Sequence, residues 1–376
     1  MNVSRRSLMQ RGASLAFAGG LLSAGRAARA ETSPASSATR PASRPATPKA
    51  DPYADAGVVN GPPPTPAEGS FTVAVMPDTQ NYADKPFARQ FHGQTEWIAS
   101  QAKDRRLAAV LHLGDVTNNN RPDQWTIARE AMGKLDGHVP YFMVPGNHDD
   151  SADGRATDRT SGFSENFPLA KFRGRETFGG VYDREPDRTE NSYHLFAANG
   201  REFVVICLEW GPRADVIRWA NEVATKHARR EAILITHAYM YSDETRYDWR
   251  KRGKAQSWNP HSYGVAAATG DDVNDGQELW EKLVSRHENF ILTLNGHVLN
   301  DGLGRVVTPT PGGRDVSQML VNFQMKPQGG DGWLRLLEFK ADGRTVAVRD
   351  YSPTLDRQNE SPQNRFDLTL APVRAG

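Results

Sequence analysis

Short, almost wholly apolar runs that each stop at a polar residue constrain this chain more than any other feature. Phe71-Thr72-Val73-Ala74-Val75-Met76 stops at Pro77-Asp78-Thr79, Ala108 to Leu113 stops at Gly114-Asp115, and Tyr141 to Val144 stops at Pro145-Gly146-Asn147-His148. Helical spacing lies between them: Phe87, Phe91, Thr95, Ile98 and Ala102 first, then Asp123 to Met132. A strand that is apolar on both faces must be covered on both, so the alternation indicates parallel βαβ units. The second half repeats the plan. Glu202 to Cys207 reads as a strand, Asp215 to Lys226 as a helix, and Ala232 to Thr236 as a strand ending at His237. A helix over Gly276 to Ser285 and a strand over Phe290 to Leu294, ending at Asn295-Gly296-His297, follow. Strands near Val316–Phe323, Trp333–Phe339 and Thr345–Asp350 come without clear helices, which predicts an antiparallel finish to the sheet. Polar insertions interrupt the plan at about 150–191 and 239–275. One α/β domain with long loops accounts for the pattern.

The flanks differ in kind. Residues 1–30 hold five arginines and no acid, with the pair Arg5-Arg6, an uncharged stretch from Gly12 to Gly25, and then Ala28-Arg29-Ala30. That order is the architecture of a secretory signal cleaved after Ala30, and its paired arginines resemble a twin-arginine export signal. The uncharged stretch is too short for the ~20 residues of a membrane span. The expected location is therefore periplasmic or secreted, with the twin-arginine export machinery as a partner and no transmembrane anchor in the mature form. Residues 31–70 hold nine of the 24 prolines and read as a disordered linker. The folded domain is expected over 71–353 and a C-terminal tail over 354–376. The chain has 46 basic and 45 acidic residues, so nothing suggests a nucleic-acid-binding surface. Without the first 30 residues the balance is 41 to 45, a charge of −4. A single cysteine, Cys207, excludes a disulfide framework and a thiolate zinc site.

Asp78, Asp115, Asn147, His237 and His297 all fall at strand ends, and ligands of open α/β sheets bind outside the carboxyl ends of strands. Singly, each has an ordinary explanation as a turn former, a helix cap or a core histidine. Together, hard oxygen ligands with imidazole suit ions such as Mn, Fe or Zn. Two ions ~3.5–4 Å apart can share a carboxylate and activate a hydroxide for in-line attack on phosphorus.

Asp78-Thr79-Gln80, Gly114-Asp115-Val116-Thr117-Asn118-Asn119, Gly146-Asn147-His148-Asp149, His237 and Gly296-His297 occur in the order of the calcineurin-like metallophosphoesterases, which the chain resembles from Phe71 to Asp350. The resemblance implies a four-layer α-β-β-α sandwich with mixed sheets and two divalent metals at the sheets' shared edge. It implies hydrolysis of a phosphomonoester or phosphodiester substrate by a metal-activated hydroxide, with Asp115 bridging the metals. Asn147, His237 and His297 would complete one site, while Asp78 and Gln80 serve the other. His148 matches the proton donor to the leaving oxygen, and Asn118 stands where protein-phosphatase members have the aspartate that orients it. The Asp-Thr-Gln form resembles a bacterial subgroup, often exported.

Two departures fall on one metal. Gln80 replaces a frequent histidine, and Leu299 stands where Gly-His-x-His would supply another. One tight and one weaker metal are expected, and an exported metal-containing binding protein with little turnover is the alternative reading. Gln318, Asn322 and Gln324 share a strand face and are candidates for substrate contact or for a solvent face. Asn300 and Asp301 read as a turn with Gly302. The second insertion carries Tyr239, Tyr241, Tyr247, Trp249, Trp258 and Tyr263 with Arg246, Arg250, Lys251 and Arg252, suited to a substrate wall or to packing on the sheet. His261 reads as a solvated loop residue.

Overall fold

Alternation along the apolar strands sorts their side chains into separate layers. In the computed structural model, which describes residues 57–371, Val73, Val75, Leu111 and Phe142 point one way and meet Val205, Ile233, Leu294 and Met319 of a second sheet. Ala74, Met76, Val110 and Tyr141 point the other way and pack on Phe91, Ile98, Trp125 and Met132 of the helices Ala88–Gln101 and Pro122–Gly133. On the far side, Val204, Ile206 and Leu234 pack against Val216, Trp219, Ala220 and Val223 of the helix Ala214–Lys226, and Leu279 of the helix Gly276–Lys282 joins that layer. Helix, sheet, sheet and helix therefore lie in four layers.

Both sheets are mixed. In the first, Phe71–Met76, Leu107–His112 and Tyr141–Met143 are parallel neighbours, and Leu334–Phe339 and Thr345–Ser352 continue the sheet antiparallel beyond Phe71–Met76. In the second, Arg201–Cys207, Glu231–Ile235, Phe290–Asn295 and Asp315–Val321 are parallel, flanked by antiparallel Ser192–Ala198 and Leu303–Pro309. The strand Phe178–Val181 completes that edge.

Three expectations need correction. The strand Asp315–Val321 runs parallel to Phe290–Asn295, because the hairpin strand Leu303–Pro309 turns the chain once more before it. Residues 57–70 are not linker: Val58–Asn60 pairs with Arg357–Asn359. Prolines in this segment lack N–H donors but keep their carbonyls. Arg105 donates from Nη2 to Pro63 O at 2.8 Å, and Arg106 from Nη1 to Pro66 O at 2.9 Å. Part of the expected tail likewise belongs to the first sheet, where Arg365–Thr369 pairs with Thr345–Ser352. The proposed signal at 1–30 and the linker up to residue 56 lie outside the described residues.

One buried ion pair holds that end. Arg335 is 1% exposed and forks onto Asp350, Nε to Oδ1 and Nη2 to Oδ2 both at 2.7 Å, and Asn364 Nδ2 donates to the same carboxylate at 2.8 Å. Removing one partner leaves an uncompensated buried charge. Arg335→Leu should lower stability by about 3–5 kcal/mol in urea unfolding, and a change below 1 kcal/mol would show that the pair is solvated.

Candidate metal centre

Five strands deliver one side chain each to the shared edge. Asp78 and Asp115 follow Phe71–Met76 and Leu107–His112, and Asn147 opens the short turn Asn147–Asp149 after Tyr141–Met143. His237 and His297 follow Glu231–Ile235 and Phe290–Asn295 of the other sheet. Asp115 and His297 have left-handed backbones, φ 48° and 74°, a conformation that costs about 1–3 kcal/mol and clusters at functional sites. Two glycines make the approach possible. A Cβ on Gly146 would lie 2.1 Å from Asp115 Oδ1, and one on Gly296 would lie 2.1 Å from Asp78 Oδ2.

The imidazoles are oriented from behind. His237 Nδ1 lies 2.8 Å from the Leu113 carbonyl, so it carries the proton and Nε2 is left as a ligand. That Nε2 sits 3.1 Å from Asp115 Oδ1 and 3.8 Å from Asp78 Oδ1. His297 Nε2 donates to the Trp258 carbonyl at 2.7 Å, which leaves Nδ1 on the cluster side. The His297 backbone N–H donates to Asp78 Oδ1 at 2.9 Å, and that of His148 to Asp115 Oδ1 at 3.0 Å. Single donor atoms of Asp115, His237 and His297 all lie within 4.8 Å of one another. Ligands that share an ion at ~2.0–2.2 Å lie on that scale apart. Asn147 Oδ1, Gln80 Oε1 and His237 Nε2 are buried without hydrogen-bond partners. Buried polar atoms of folded proteins generally find a partner, and three unpartnered donor atoms among residues gathered at one point fit a cation.

The electrostatics agree. Burial pushes Asp78 well above the usual carboxylate range, with His237 opposing. Burial also opposes ionisation of Asp115, but the His237 and His148 fields outweigh it and hold the carboxyl below that range. For His237, burial disfavours the cation, yet Asp115 and Asp78 raise it to about 9. His297 is pulled down to about 3 by burial and by His237. Without a metal, a proton on His237 balances the carboxylates.

Other sequence candidates meet different fates. His148 Nδ1 lies 2.8 Å from the Asn118 backbone carbonyl, so main chain rather than an Asn118 side chain orients the ring. Leu299 is half-buried, and Asn300 donates to Tyr241 Oη and Ser242 Oγ, while Asp301 Oδ1 accepts from Leu303 N at the turn. Gln318 is fully buried, and its amide binds Arg246 Nη1 and Thr308 Oγ1, neither of them in the cluster. Asn322 is buried too, and its Oδ1 accepts from Gln324 N at 2.9 Å. Tyr239 and Tyr247 pack into the outer core. His261 is bonded on both nitrogens, to Asp271 at 2.7 Å and Glu278 at 2.8 Å, because the insertion folds back on the helix Gly276–Lys282.

Asp149 was not singled out from the sequence. It accepts from Val116 N, Thr117 N, Thr117 Oγ1 and Gly146 N at 2.7–2.9 Å, which ties the Asp115 loop to the Asn147 loop. Its place in the Gly146–Asp149 block was the available signal.

The chain belongs to the calcineurin-like phosphoesterase family, whose sequence model matches residues 71–301. It is similar to the uncharacterized protein YvnB of Bacillus subtilis (strain 168), 29% identical over 306 residues, 78% of this chain and 21% of that one. The chain thus spans about a fifth of that relative's length. A shorter likeness, 43% identical over 47 residues, joins it to the glycerophosphodiester phosphodiesterase GpdQ of Enterobacter lignolyticus (strain SCF1), covering 12% of this chain and 16% of that one. Among solved structures, purple acid phosphatase PPD1 from yellow lupin seeds superposes with a TM-score of 0.45 at 12% identity, over 81% of this chain and 55% of that one.

An ion bound through His237 Nε2 would displace the proton held there. Calorimetric titration of the metal-free protein at pH 7 should release roughly one proton, with affinity rising towards pH 9. It should resolve two unequal sites. Two equal sites, or no proton release across buffers of different ionisation enthalpy, would contradict the ligand assignment.

Proposed function

We propose that the protein is a metal-dependent phosphoesterase acting on a phosphomonoester or phosphodiester. The single observation that carries this reading is the buried Asp115–His237–His297 cluster with the unpartnered Asn147 oxygen, set beside His148. Asp115, Asn147, His237 and His297 would hold one ion, and Asp78, Asp115 and Gln80 a second, weaker one. Bound divalent ions of the Mn, Fe or Zn type supply Lewis-acid stabilisation of phosphoryl oxygens and a more acidic water.

The chain's own groups then do the rest. Asp115, held on His148 N and beside His237, keeps the two sheets' ligands at one point. His148, in its imidazolium form, keeps Nδ1–H on the Asn118 carbonyl and offers Nε2–H to the leaving oxygen. The strand-end loops keep bulk water from the carboxylates, which strengthens every charge interaction there. The local likeness to a phosphodiesterase supports an ester of phosphate as substrate.

Residues 1–30 would direct export through the twin-arginine machinery to the periplasm or beyond. Among the described residues no helix is long and apolar enough to cross a membrane. Mass spectrometry of the exported form should find its N-terminus at Glu31; retention of Arg5-Arg6 in that form would contradict the signal.

The half-buried Leu299, which cannot ligate, favours the second reading of a binding protein with little turnover. Hydrolysis of p-nitrophenyl phosphate and its bis ester with manganese decides between them. His297→Ala should abolish turnover and tight metal binding. His148→Ala should slow alkyl esters by roughly 10²–10⁴-fold, and p-nitrophenyl esters much less, because their leaving group needs no proton. Absence of chelator-sensitive hydrolysis in the wild type would leave the binding reading.

A further inference from the structure

The second insertion brings the ring of Tyr263 beside that of His297. Tyr263 lies between the turn Pro260–Ser262 and the short helix Gly264–Ala268. Its backbone is anchored on both sides. Tyr263 N donates to Pro260 O at 3.2 Å, and Val265 N donates to Ala156 O of the first insertion at 2.9 Å. Asn259 just before it accepts from His261 N and donates to Asp275 Oδ2 at 3.1 Å. The ring stands edge-on to the buried Trp210, centroids 4.6 Å apart at 74°, and 6.2 Å from the ring of His297.

Two other tyrosines of this insertion are committed: Tyr247 Oη donates to Ser257 O at 2.9 Å and Tyr241 Oη accepts from Asn300 Nδ2. Tyr239 Oη makes no hydrogen bond among the described residues, but it is sealed in the core, where no substrate reaches it. Tyr263 is half-buried, and its hydroxyl makes no hydrogen bond among the described residues. A phenol stays protonated at neutral pH, so the hydroxyl is available as a donor. A neutral donor on a ring held by Trp210 and packed beside His297 suits an anionic oxygen that arrives with an ion.

We propose that Tyr263 Oη donates a hydrogen bond to a non-bridging phosphoryl oxygen of the substrate, a contact that rests on the phosphoesterase reading. The two insertions then do more than cover the sheet edge, since the Tyr263 segment is braced by both. A phosphate group seated at the cluster would meet the metals on one side and this hydroxyl on another.

The test uses inorganic phosphate as the probe. Manganese-loaded wild type, Tyr263→Phe and Tyr263→Leu are compared by calorimetric phosphate titration, elemental analysis and kcat/KM for p-nitrophenyl phosphate. Tyr263→Phe should keep its metal content and lose roughly tenfold in phosphate affinity and in kcat/KM, the scale of one hydrogen bond to a charged group. Equality of Tyr263→Phe with wild type, while Tyr263→Leu is impaired, overturns the proposal and leaves the ring a packing role. A wild type that binds phosphate but hydrolyses no ester sinks the phosphoesterase reading alone, and phosphate affinity still judges Tyr263. A loaded wild type that binds no phosphate overturns both.

Discussion

The contact between Asp115 and His237, 3.1 Å across the gap between two sheets, is the constraint on which the rest depends. Both groups are removed from water, and burying charge is costly unless it is paired or bound to a metal. The sandwich accepts that cost at this edge and again at the Arg335–Asp350 pair. Elsewhere the inter-sheet layer is apolar, from Phe71 and Val73 through Ile233 and Leu294. Close approach at the edge requires glycine at 146 and 296, where any Cβ would collide with a carboxylate. It also requires left-handed backbone at Asp115 and His297. Glycine spacing, strand-end turns and ligand identity are thus parts of one geometric demand.

Around this point the main chain does much of the orienting. The Leu113, Trp258 and Asn118 carbonyls each take one imidazole N–H and so choose which nitrogen faces the cluster. Backbone acceptors are insensitive to side-chain identity, so Asn118 can occupy its position without weakening the bond to His148. Trp258 belongs to the second insertion, which therefore contributes to the site through its backbone. The insertion is braced by Asn259 and Asp275 and by His261 between Asp271 and Glu278. Arginines that the composition offered to a substrate are otherwise engaged, Arg250 with Glu278 and Arg252 with Asp243.

Much of the fold was legible because parallel strands buried on both faces leave an unmistakable apolar run, as in Ala108 to Leu113. Edge strands leave no such mark. Phe178–Val181 contains two glycines, and Leu303–Pro309 alternates buried and exposed positions, so neither stood out, and the direction of Asp315–Val321 was misjudged in consequence. The order of the proline-rich 57–70 segment is hidden for a related reason. Its ordering comes from the distant Arg105, Arg106 and Arg357–Asn359, which local composition does not register.

The sequence by itself determined the alternating plan of the sheets, the five polar strand ends and their order, and the residues Gln80 and Leu299 near them. Those are properties of residue type and spacing, and period-two burial makes them readable along the chain. Only the tertiary structure decided that Asp149 clamps two loops, that Gln318 serves Arg246, and that the Tyr263 ring stands beside that of His297. Each of those facts depends on contacts between segments far apart in the chain. Such contacts are set by how the layers and insertions pack, and no local pattern encodes them.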